Sequence, residues 1–445
     1  MKVLCLVDGE HYPPVTRWGI QVARTMGHEP VAALFVGGTE KIAAEGPPDL
    51  GLPTIFPERG TERFVALGDA LDELRPDAVL DLSDEPVLGY HERMEMAAVA
   101  LDRGVPYLGS DFRLDPPVWA APLPVPTVAV IGTGKRAGKT AIAGEAARVA
   151  KEAGLNPMVV AMGRGGPPEP QVAEAGSITV ESLIERVRRG EHAASDYLED
   201  ALFTGVTTVG ARRVGGGLAG MPFATNVREA GMVAVERGAG LVILEGSGLS
   251  IPPMPWDAGI LVAPVGVPRE YLTGYLGPYR ILRSDLFVIT MSDGSHEPKH
   301  LFPFRSHVRR LRADARYVVT DFQPAPLGEV RGKGVYLTTT APPEAASRQA
   351  KHLEEVYGCR VVGFSTRLSN RKGLSADLEA AGEYDILVTE LKAAAVDVAC
   401  ERAIARGAAV VFADNRPVTT GGDDGDLVDL LRETCELAVE RHRRG

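Results

Sequence analysis

The chain has 445 residues, 45% of them hydrophobic and 24% charged, a balance that supports two or three domains with buried cores and excludes a disordered or fibrous protein. A formal net charge of −11 disfavours nucleic acid as a partner but leaves room for a small anion held by a few converging arginines. No apolar run reaches the roughly 18 residues needed to cross a bilayer, and Val7 is followed at once by Asp8-Gly9-Glu10-His11 rather than a cleavable signal layout, so a cytoplasmic protein without a membrane partner is expected.

The chain opens on an apolar run at 3–7, followed by a helix-like stretch at 15–26, a second run at 31–36, a helix ending near Leu74 and a third run at 78–82. Strand and helix alternating in this way predict a parallel sheet with helices on its faces. Ligands of such sheets sit beyond the carboxyl ends of the strands. Those ends carry polar loops: Asp8-Gly9-Glu10-His11-Tyr12, Gly37-Gly38-Thr39-Glu40-Lys41 and Ser83-Asp84-Glu85. The first lacks the G-x-G-x-x-G spacing of a dinucleotide site. Asp8, Glu10 and His11 could instead bind metal, handle protons or orient hydroxyl and phosphate groups, with Lys41 and Arg93 supplying charge.

Residues 115–126 hold five prolines in twelve positions, too many for a regular helix or a central strand, and predict a semi-rigid spacer. The expected division is an N-terminal α/β substrate-binding domain over 1–115, a Pro-rich linker over 116–126 and a catalytic domain over 127–445. Within the last, strands are predicted at 128–131, 158–161, 241–244, 286–290, 335–338, 361–364, 386–389 and 410–413. A turn at 421–426 precedes a helix over 427–443 that ends on basic residues, as the helix dipole favours. The fold class expected is therefore α/β: a Rossmann-like parallel-sheet domain joined to a larger, doubly wound P-loop NTPase domain. Cys5, Cys359, Cys400 and Cys435 have neither paired nor metal-ligand spacing and are expected to be buried or idle thiols.

The strongest chemical signal is the strand Val128-Ala-Val-Ile131 followed by Gly132-Thr133-Gly134-Lys135-Arg136-Ala137-Gly138-Lys139-Thr140 and an alanine-rich helix to about Ala153. Strand, glycine loop and helix together form the setting in which backbone N–H groups cradle phosphates. Lys139 would reach the β- and γ-phosphates and the Thr140 hydroxyl would ligate Mg²⁺. The usual pattern has glycine at position 133, where this chain has threonine. A buried strand ending in Glu245, with Gly246-Ser247-Gly248 after it, offers the second metal-side oxygen, with Asp257 in reserve. Three arginine-bearing loops, around Arg164, around Arg212 and Arg213, and at Arg269, are candidates for substrate or transition-state charge. Arg305, His307, Arg309, Arg310 and Arg312 form a denser basic run whose spacing equally fits a solvated helix face. His192, His296 and His352 read as surface residues. For the nucleotide base, residues 338–343 and 413–417 are candidates.

The loop spacing resembles that of dethiobiotin synthetase and its relatives, a branch of P-loop proteins that includes small-molecule kinases and ATP-dependent ligases. Over nearly the whole chain, LVDGEHY at 6–12, FVGGTEK at 35–41, the 132–140 loop, TGVTTVGARRVGGGLAG at 204–220 and TELKAAA at 389–395 resemble the cyclic 2,3-diphosphoglycerate synthetase family. The resemblance implies a dimeric cytoplasmic enzyme that uses ATP and Mg²⁺, with a potassium requirement. It would close 2,3-bisphosphoglycerate into its intramolecular pyrophosphate, releasing ADP and phosphate; the product would serve as a thermoprotectant or phosphate store. On that reading Asp8, Glu10, His11, Lys41, Arg93, Arg164, Arg213 and Arg269 contact substrate, and Lys139, Arg164, Arg212 and Arg213 are catalytic. A kinase or amide-forming ligase of the same branch is the rival. A nucleotide-switch GTPase would require N-K-x-D and metal-delivery His/Cys clusters, which this sequence lacks.

Overall fold

The computed structural model describes the chain apart from Thr39, residues 42–47, residues 294–297 and Asp423, and gives backbone only for 298–303. Thr39 of the second loop and His296 therefore lie outside the described residues. Among these, no helix is long and apolar enough to cross a membrane, and all four cysteines are buried and unpaired.

Two compact units emerge. Unit 1 comprises Met1–Trp119, Val267–Ser284 and Phe302–Asp314; unit 2 comprises Ala120–Gly266, Asp285–Leu301 and Ala315–Gly445. Two segments expected in the catalytic half thus group with the N-terminal residues. Their side chains and backbone find partners there: the Tyr275 N–H donates to the Tyr90 hydroxyl (2.9 Å), and Thr273 Oγ1 lies 2.9 Å from His91 Nδ1.

Unit 1 is built on β1 (Lys2–Val7), β2 (Glu29–Phe35), β3 (Thr54–Ile55), β4 (Ala78–Asp81), β5 (Tyr107–Leu108) and β6 (Arg113–Leu114), in the order β3-β2-β1-β4-β5-β6. All neighbours are parallel except β5 and β6. The central strand β1 is buried at every position after Lys2, the near-continuous apolar run that a parallel strand requires. Helices α1 (Pro13–Thr25), α2 (Arg63–Leu74) and α3 (Tyr90–Asp102) connect the strands. α1 starts on Pro13-Pro14 because a proline in the first turn loses no helical hydrogen bond.

Unit 2 carries β7 (Thr127–Gly132), β8 (Pro157–Gly163), β9 (Gln171–Ala173), β10 (Thr208–Val214), β11 (Ala224–Thr225), β12 (Leu241–Glu245), β13 (Ala258–Pro264), β14 (Leu286–Thr290), β15 (Arg316–Pro326), β16 (Gly334–Thr338), β17 (Arg360–Ser365), β18 (Ile386–Thr389) and β19 (Ala409–Gly421). Their order is β11-β10-β8-β12-β7-β13-β14-β15-β19-β18-β16-β17, with β9 beside β10. β7, entirely buried, sits between β12 and β13. Helix α4 (Lys139–Glu152) lies on it through Ile142, Ala143, Ala146, Ala147 and Ala150, small side chains that bring helix and sheet close. The same core takes Leu427, Leu430, Leu431, Cys435 and Ala438 from the last helix, Leu427–Arg444. Each leucine there contributes about 1.5–3 kcal/mol by leaving water.

The sequence pattern misses β9, β10, β11, β13 and β15, and in unit 1 the two-residue strands β3, β5 and β6. β13 is apolar throughout, and its signal was present; β10 reads TVGARRV, and its arginines and glycine disguise it as a loop. Within the proline-rich stretch Leu123 is buried, and a Cβ on Gly231 would come within 2.8 Å of it. Part of the expected spacer is thus packed against unit 2.

Candidate active site

At the carboxyl end of β7 the chain turns through residues 133–138 and enters α4 at Lys139. The turn closes at Gly138, whose φ of +91° and whose approach to Phe322, with an added Cβ 2.5 Å from the ring, both demand glycine. Lys139 folds its stem over Gly132, where a Cβ would sit 3.0 Å from Lys139 Cδ, and donates from Nζ to the Gly134 carbonyl at 2.7 Å. The Thr290 hydroxyl donates to the Ala137 carbonyl (2.7 Å) and braces the loop from β14. Thr133, the departure from the usual glycine, donates its N–H to the Val262 carbonyl at 3.1 Å and buries a hydroxyl that has no hydrogen-bond partner among the described residues. Lys135 and Arg136 are exposed, and Arg136 Nη2 lies 3.4 Å from the Ser369 hydroxyl.

β12 places Glu245 beside Val130 of β7. Its Oε1 accepts from the Thr140 hydroxyl at 2.6 Å, while Oε2 is buried without a hydrogen-bond partner among the described residues. Burial raises the Glu245 carboxyl above the usual carboxylate range, with the Asp196 carboxylate adding to the effect. Burial lowers the Lys139 ammonium, against the pull of Glu245 and Asp196. A hydroxyl and a carboxylate with a free oxygen are hard donors of the kind Mg²⁺ accepts. Asp257 cannot share that role. Its Oδ2 accepts from the Thr127 N–H and hydroxyl, both 2.8 Å, at the amino end of β7, about 17 Å along the strand from the phosphate loop.

Arg164 follows β8, and Arg213 lies on β10 rather than in a loop. A Cβ on Gly248 would stand 2.8 Å from Arg164 Nη2 and 3.4 Å from Arg213 Nη2, so both guanidiniums converge on the segment that follows Glu245. Arg213 donates to the carbonyls of Ser247 (2.8 Å) and Gly215 (2.7 Å) and keeps a buried Nε without a hydrogen-bond partner among the described residues. Burial lowers the Arg213 guanidinium, and the positive charge of Arg164 adds to this. Neither arginine pairs with a carboxylate among the described residues. Arg212, the neighbour on the strand, faces the opposite way, as strand geometry requires. Its Nε reaches the Gly166 carbonyl at 3.2 Å and its N–H donates to Asn226 Oδ1 at 2.7 Å.

Sequence reasoning missed the acids and the lysine that surround this loop. The helix Asp196–Thr204 brings Asp196, Glu199 and Asp200, and the loop after β18 brings Glu390 and Lys392. Asp196 acts electrostatically on both Lys139 and Glu245. The acidic first turn of that helix was visible in the sequence but reads equally well as a helix start.

In unit 1 the predicted cluster is largely committed to its own loops. Asp8 is buried; Oδ1 accepts from the N–H groups of Glu10 (2.9 Å) and His11 (3.2 Å) and pairs with His11 Nδ1 (2.9 Å), while Oδ2 accepts from the Asp84 N–H (2.6 Å). A hydrogen bond with Glu40 raises the Glu10 carboxyl. Lys41 pairs with Glu40 and lies 5.8 Å from the centre of the Tyr12 ring. Arg93 donates to Asp81 Oδ2 and the Ser83 carbonyl, each at 3.0 Å. Among the described residues, no three His, Cys, Asp or Glu side chains converge to hold a metal. Arg269 is exposed in unit 1 before the short helix Glu270–Thr273. Within the basic run, His307 packs against the Leu272 carbonyl (3.3 Å) and Arg310 pairs with Glu95 and with Glu62 (3.1 Å), so these two are not a solvated face.

A central parallel strand feeding a glycine loop and a Lys-Thr helix head, with a carboxylate on the adjacent strand, defines a P-loop enzyme. The chain belongs to the cyclic 2,3-diphosphoglycerate synthetase family. Its residues 2–115 match the family's N-terminal domain, 127–320 the P-loop domain and 326–416 the C-terminal domain. A cyclic 2,3-diphosphoglycerate synthetase of Rubrobacter xylanophilus is 48% identical over 436 residues, 97% of each chain. The synthetase of Methanothermus fervidus is 40% identical over 452 residues, covering 99% of this chain and 98% of its own. That of Thermococcus kodakarensis is 42% identical over 431 residues, covering 95% and 96%.

Proposed function

We propose that this chain uses ATP to close 2,3-bisphosphoglycerate into cyclic 2,3-diphosphoglycerate, with the phosphoryl chemistry carried by the edge of unit 2 that holds Lys139, Thr140, Glu245, Arg164 and Arg213. The observation that supports this assignment best is the meeting of the Thr140–Glu245 pair and the P-loop lysine with two guanidiniums that have no carboxylate partner among the described residues. Fixed cations lacking an acid suit an anionic substrate, and the backbone donors of the loop suit a triphosphate.

In the first step a phosphate oxygen of the substrate attacks the γ-phosphorus of ATP. The bond to the β-bridging oxygen breaks, and ADP leaves. In the second, the neighbouring phosphate attacks the phosphorus so activated; a P–O–P ring closes and inorganic phosphate departs. Neither step needs a protein nucleophile. Lys139 would hold the β- and γ-phosphates, and Arg213 and Arg164 would offset charge on the transferring group and orient the substrate phosphates. Mg²⁺, when bound, would neutralise charge on the β- and γ-oxygens; Thr140 and Glu245 are the residues that would hold it. Arg212, turned to the other face of β10, has no place in this step.

The homodimer, the cytoplasmic location, the potassium requirement and the kinship with dethiobiotin synthetase come from the resemblance and belong to the same proposal. So do substrate contacts by His11, Lys41 and Arg269. Sedimentation of the purified protein, and assays with potassium replaced by sodium, test the first and third. The activity is tested by ³¹P NMR of the protein with ATP, Mg²⁺ and 2,3-bisphosphoglycerate. A diphosphate resonance should grow in step with ADP and free phosphate; ADP formed without it would favour a kinase or hydrolase.

A further inference from the structure

On α4, Ile142, Ala143, Ala146, Ala147 and Ala150 form the stripe that packs into the core. Glu145 and Arg148 fall on the opposite side of the helix, the side that a helix lying on a sheet ordinarily turns to water. Here that side is covered: Glu145 is 4% exposed and the Arg148 side chain 13%. A Cβ on Gly144 would stand 3.1 Å from Thr204 Cγ2, and Arg148 Nη1 donates to the Phe203 carbonyl at 3.3 Å, so the end of the helix Asp196–Thr204 supplies part of the cover. β19 supplies the rest.

Two carboxylates and two guanidiniums meet under it. Arg148 donates from Nε (3.0 Å) and Nη2 (2.6 Å) to Glu145 Oε2, and from Nη1 to Asp414 Oδ2 (3.0 Å). Arg416 donates from Nε to the same Glu145 oxygen (3.1 Å) and from Nη2 to Oε1 (3.2 Å), a bidentate grip. Each charged residue of the helix is thus tied to one of opposite charge on the strand, and the four charges cancel. Asp414 and Arg416 are two residues apart and therefore share one side of β19. Both lie in the stretch 413–417 considered above for the base, and their charged groups are engaged by α4.

The strand that brings them also braces the phosphate loop. β15 pairs with β14 over 316–319 and then runs on to Pro326 beside β19. In this ribbon Arg416 stands opposite Gln323, the neighbour of the Phe322 whose ring packs on Gly138. One ribbon therefore holds both the loop and the helix that follows it. We propose that Asp414 and Arg416 are positioning residues for the nucleotide site: they fix α4 to β19, and with it Lys139 and Thr140 at the helix head. This rests on the reading that the P-loop binds ATP. A phosphate cradle tolerates a displacement of only about 0.5 Å, so a helix released from the ribbon binds nucleotide less well even when the fold survives. The family's C-terminal segment, which ends at Arg416, in this way sets a site built by the P-loop segment.

Titration of the full chain with a fluorescent ATP analogue and Mg²⁺, paired with thermal unfolding, tests the proposal. Asp414→Leu combined with Arg416→Leu removes one acid and one base from the strand and leaves Glu145 and Arg148 to neutralise each other. It should raise the dissociation constant by about tenfold while Tm stays near native. Arg416→Lys, which keeps the charge and one donor, should stay within about threefold of native. Where the double variant does not fold, Arg416→Gln carries the same test, since that side chain is 44% exposed and its removal spares the core. Native affinity in the folded variants, or affinity that falls only in proportion to Tm, overturns the proposal. Lys139→Met serves as the reference: if it binds nucleotide as the native chain does, the ATP-site reading itself falls, and if it alone loses binding, the failure is confined to Asp414 and Arg416.

Discussion

Arg212 and Arg213 are chemically identical neighbours that the strand sends to opposite faces. Arg213 shares the Gly248 segment with Arg164; Arg212 holds the Gly166 carbonyl. Arg213→Ala should therefore lower turnover by roughly 10²–10³, the range for losing one charge-stabilising donor, whereas Arg212→Ala should stay within several-fold of native. Steady-state assays of both variants check the difference, and equal losses would show that the strand assignment does not govern function. Glu245→Gln keeps the hydrogen bond to Thr140 but removes the charge; it should weaken Mg²⁺-dependent nucleotide binding while leaving Mg²⁺-free ADP binding nearly unchanged, as titration with and without the metal would report. What could be read at this scale was the contiguous part. Residues 132–140 carry their geometry in their own order. Lys392 is distant in sequence from Glu199 and becomes its neighbour only through folding, so no spacing announced the pair.

Among the elements, the loop between β7 and α4 depends on one backbone conformation. Gly138 has positive φ and lies against Phe322 of β15. Gly138→Ala should cost about 1–3 kcal/mol from strain and collision together and abolish nucleotide binding. Adding Phe322→Ala should relieve the collision but not the strain, recovering part of the stability lost. Thermal unfolding of the single and double variants separates the two terms. β10 illustrates why element prediction failed where it did. Gly210 is there because the Tyr197 ring packs against it, with an added Cβ only 2.6 Å away, and the arginines alternate between two faces. A strand shaped by its partners in this way lacks the β-branched run that marks β7, β12 and β14.

At the level of the whole molecule, the last helix closes the P-loop core although about a hundred residues or more separate it from the strands it covers. A fragment spanning 120–325 retains the loop yet lacks Leu427, Leu430 and Leu431, three buried leucines of that core. It should be largely unfolded by circular dichroism and fail to bind nucleotide, and adding the helix in trans or by fusion should recover structure. Unit 1 carries its own pH dependence. His307, facing Arg310, Arg269, His91 and Glu95, is lowered by burial to about 4, against an ordinary value near 6.5. Its neutral form is the folded form. The unfolded chain therefore takes up the proton first, and stability falls as pH drops from about 6.5 to 4, by about 2 kcal/mol at pH 5. His307→Gln should show a shallower decline in Tm between pH 7 and pH 5 than the native chain.

Periodicity showed that the chain alternates strand and helix, but not that residues 267–284 and 302–314 return to the first unit, because a return path leaves no mark on local pattern. That path has a temporal consequence. A ribosome that has finished Trp119 must add almost two hundred further residues before Asp314 exists, which at 5–20 residues per second takes about 10–40 s. For most of that interval α3 has been made while Tyr275, His307 and Arg310 have not. The face of α3 that carries Tyr90, His91 and Glu95 is thus open to chaperones and proteases until the middle of the chain arrives to cover it.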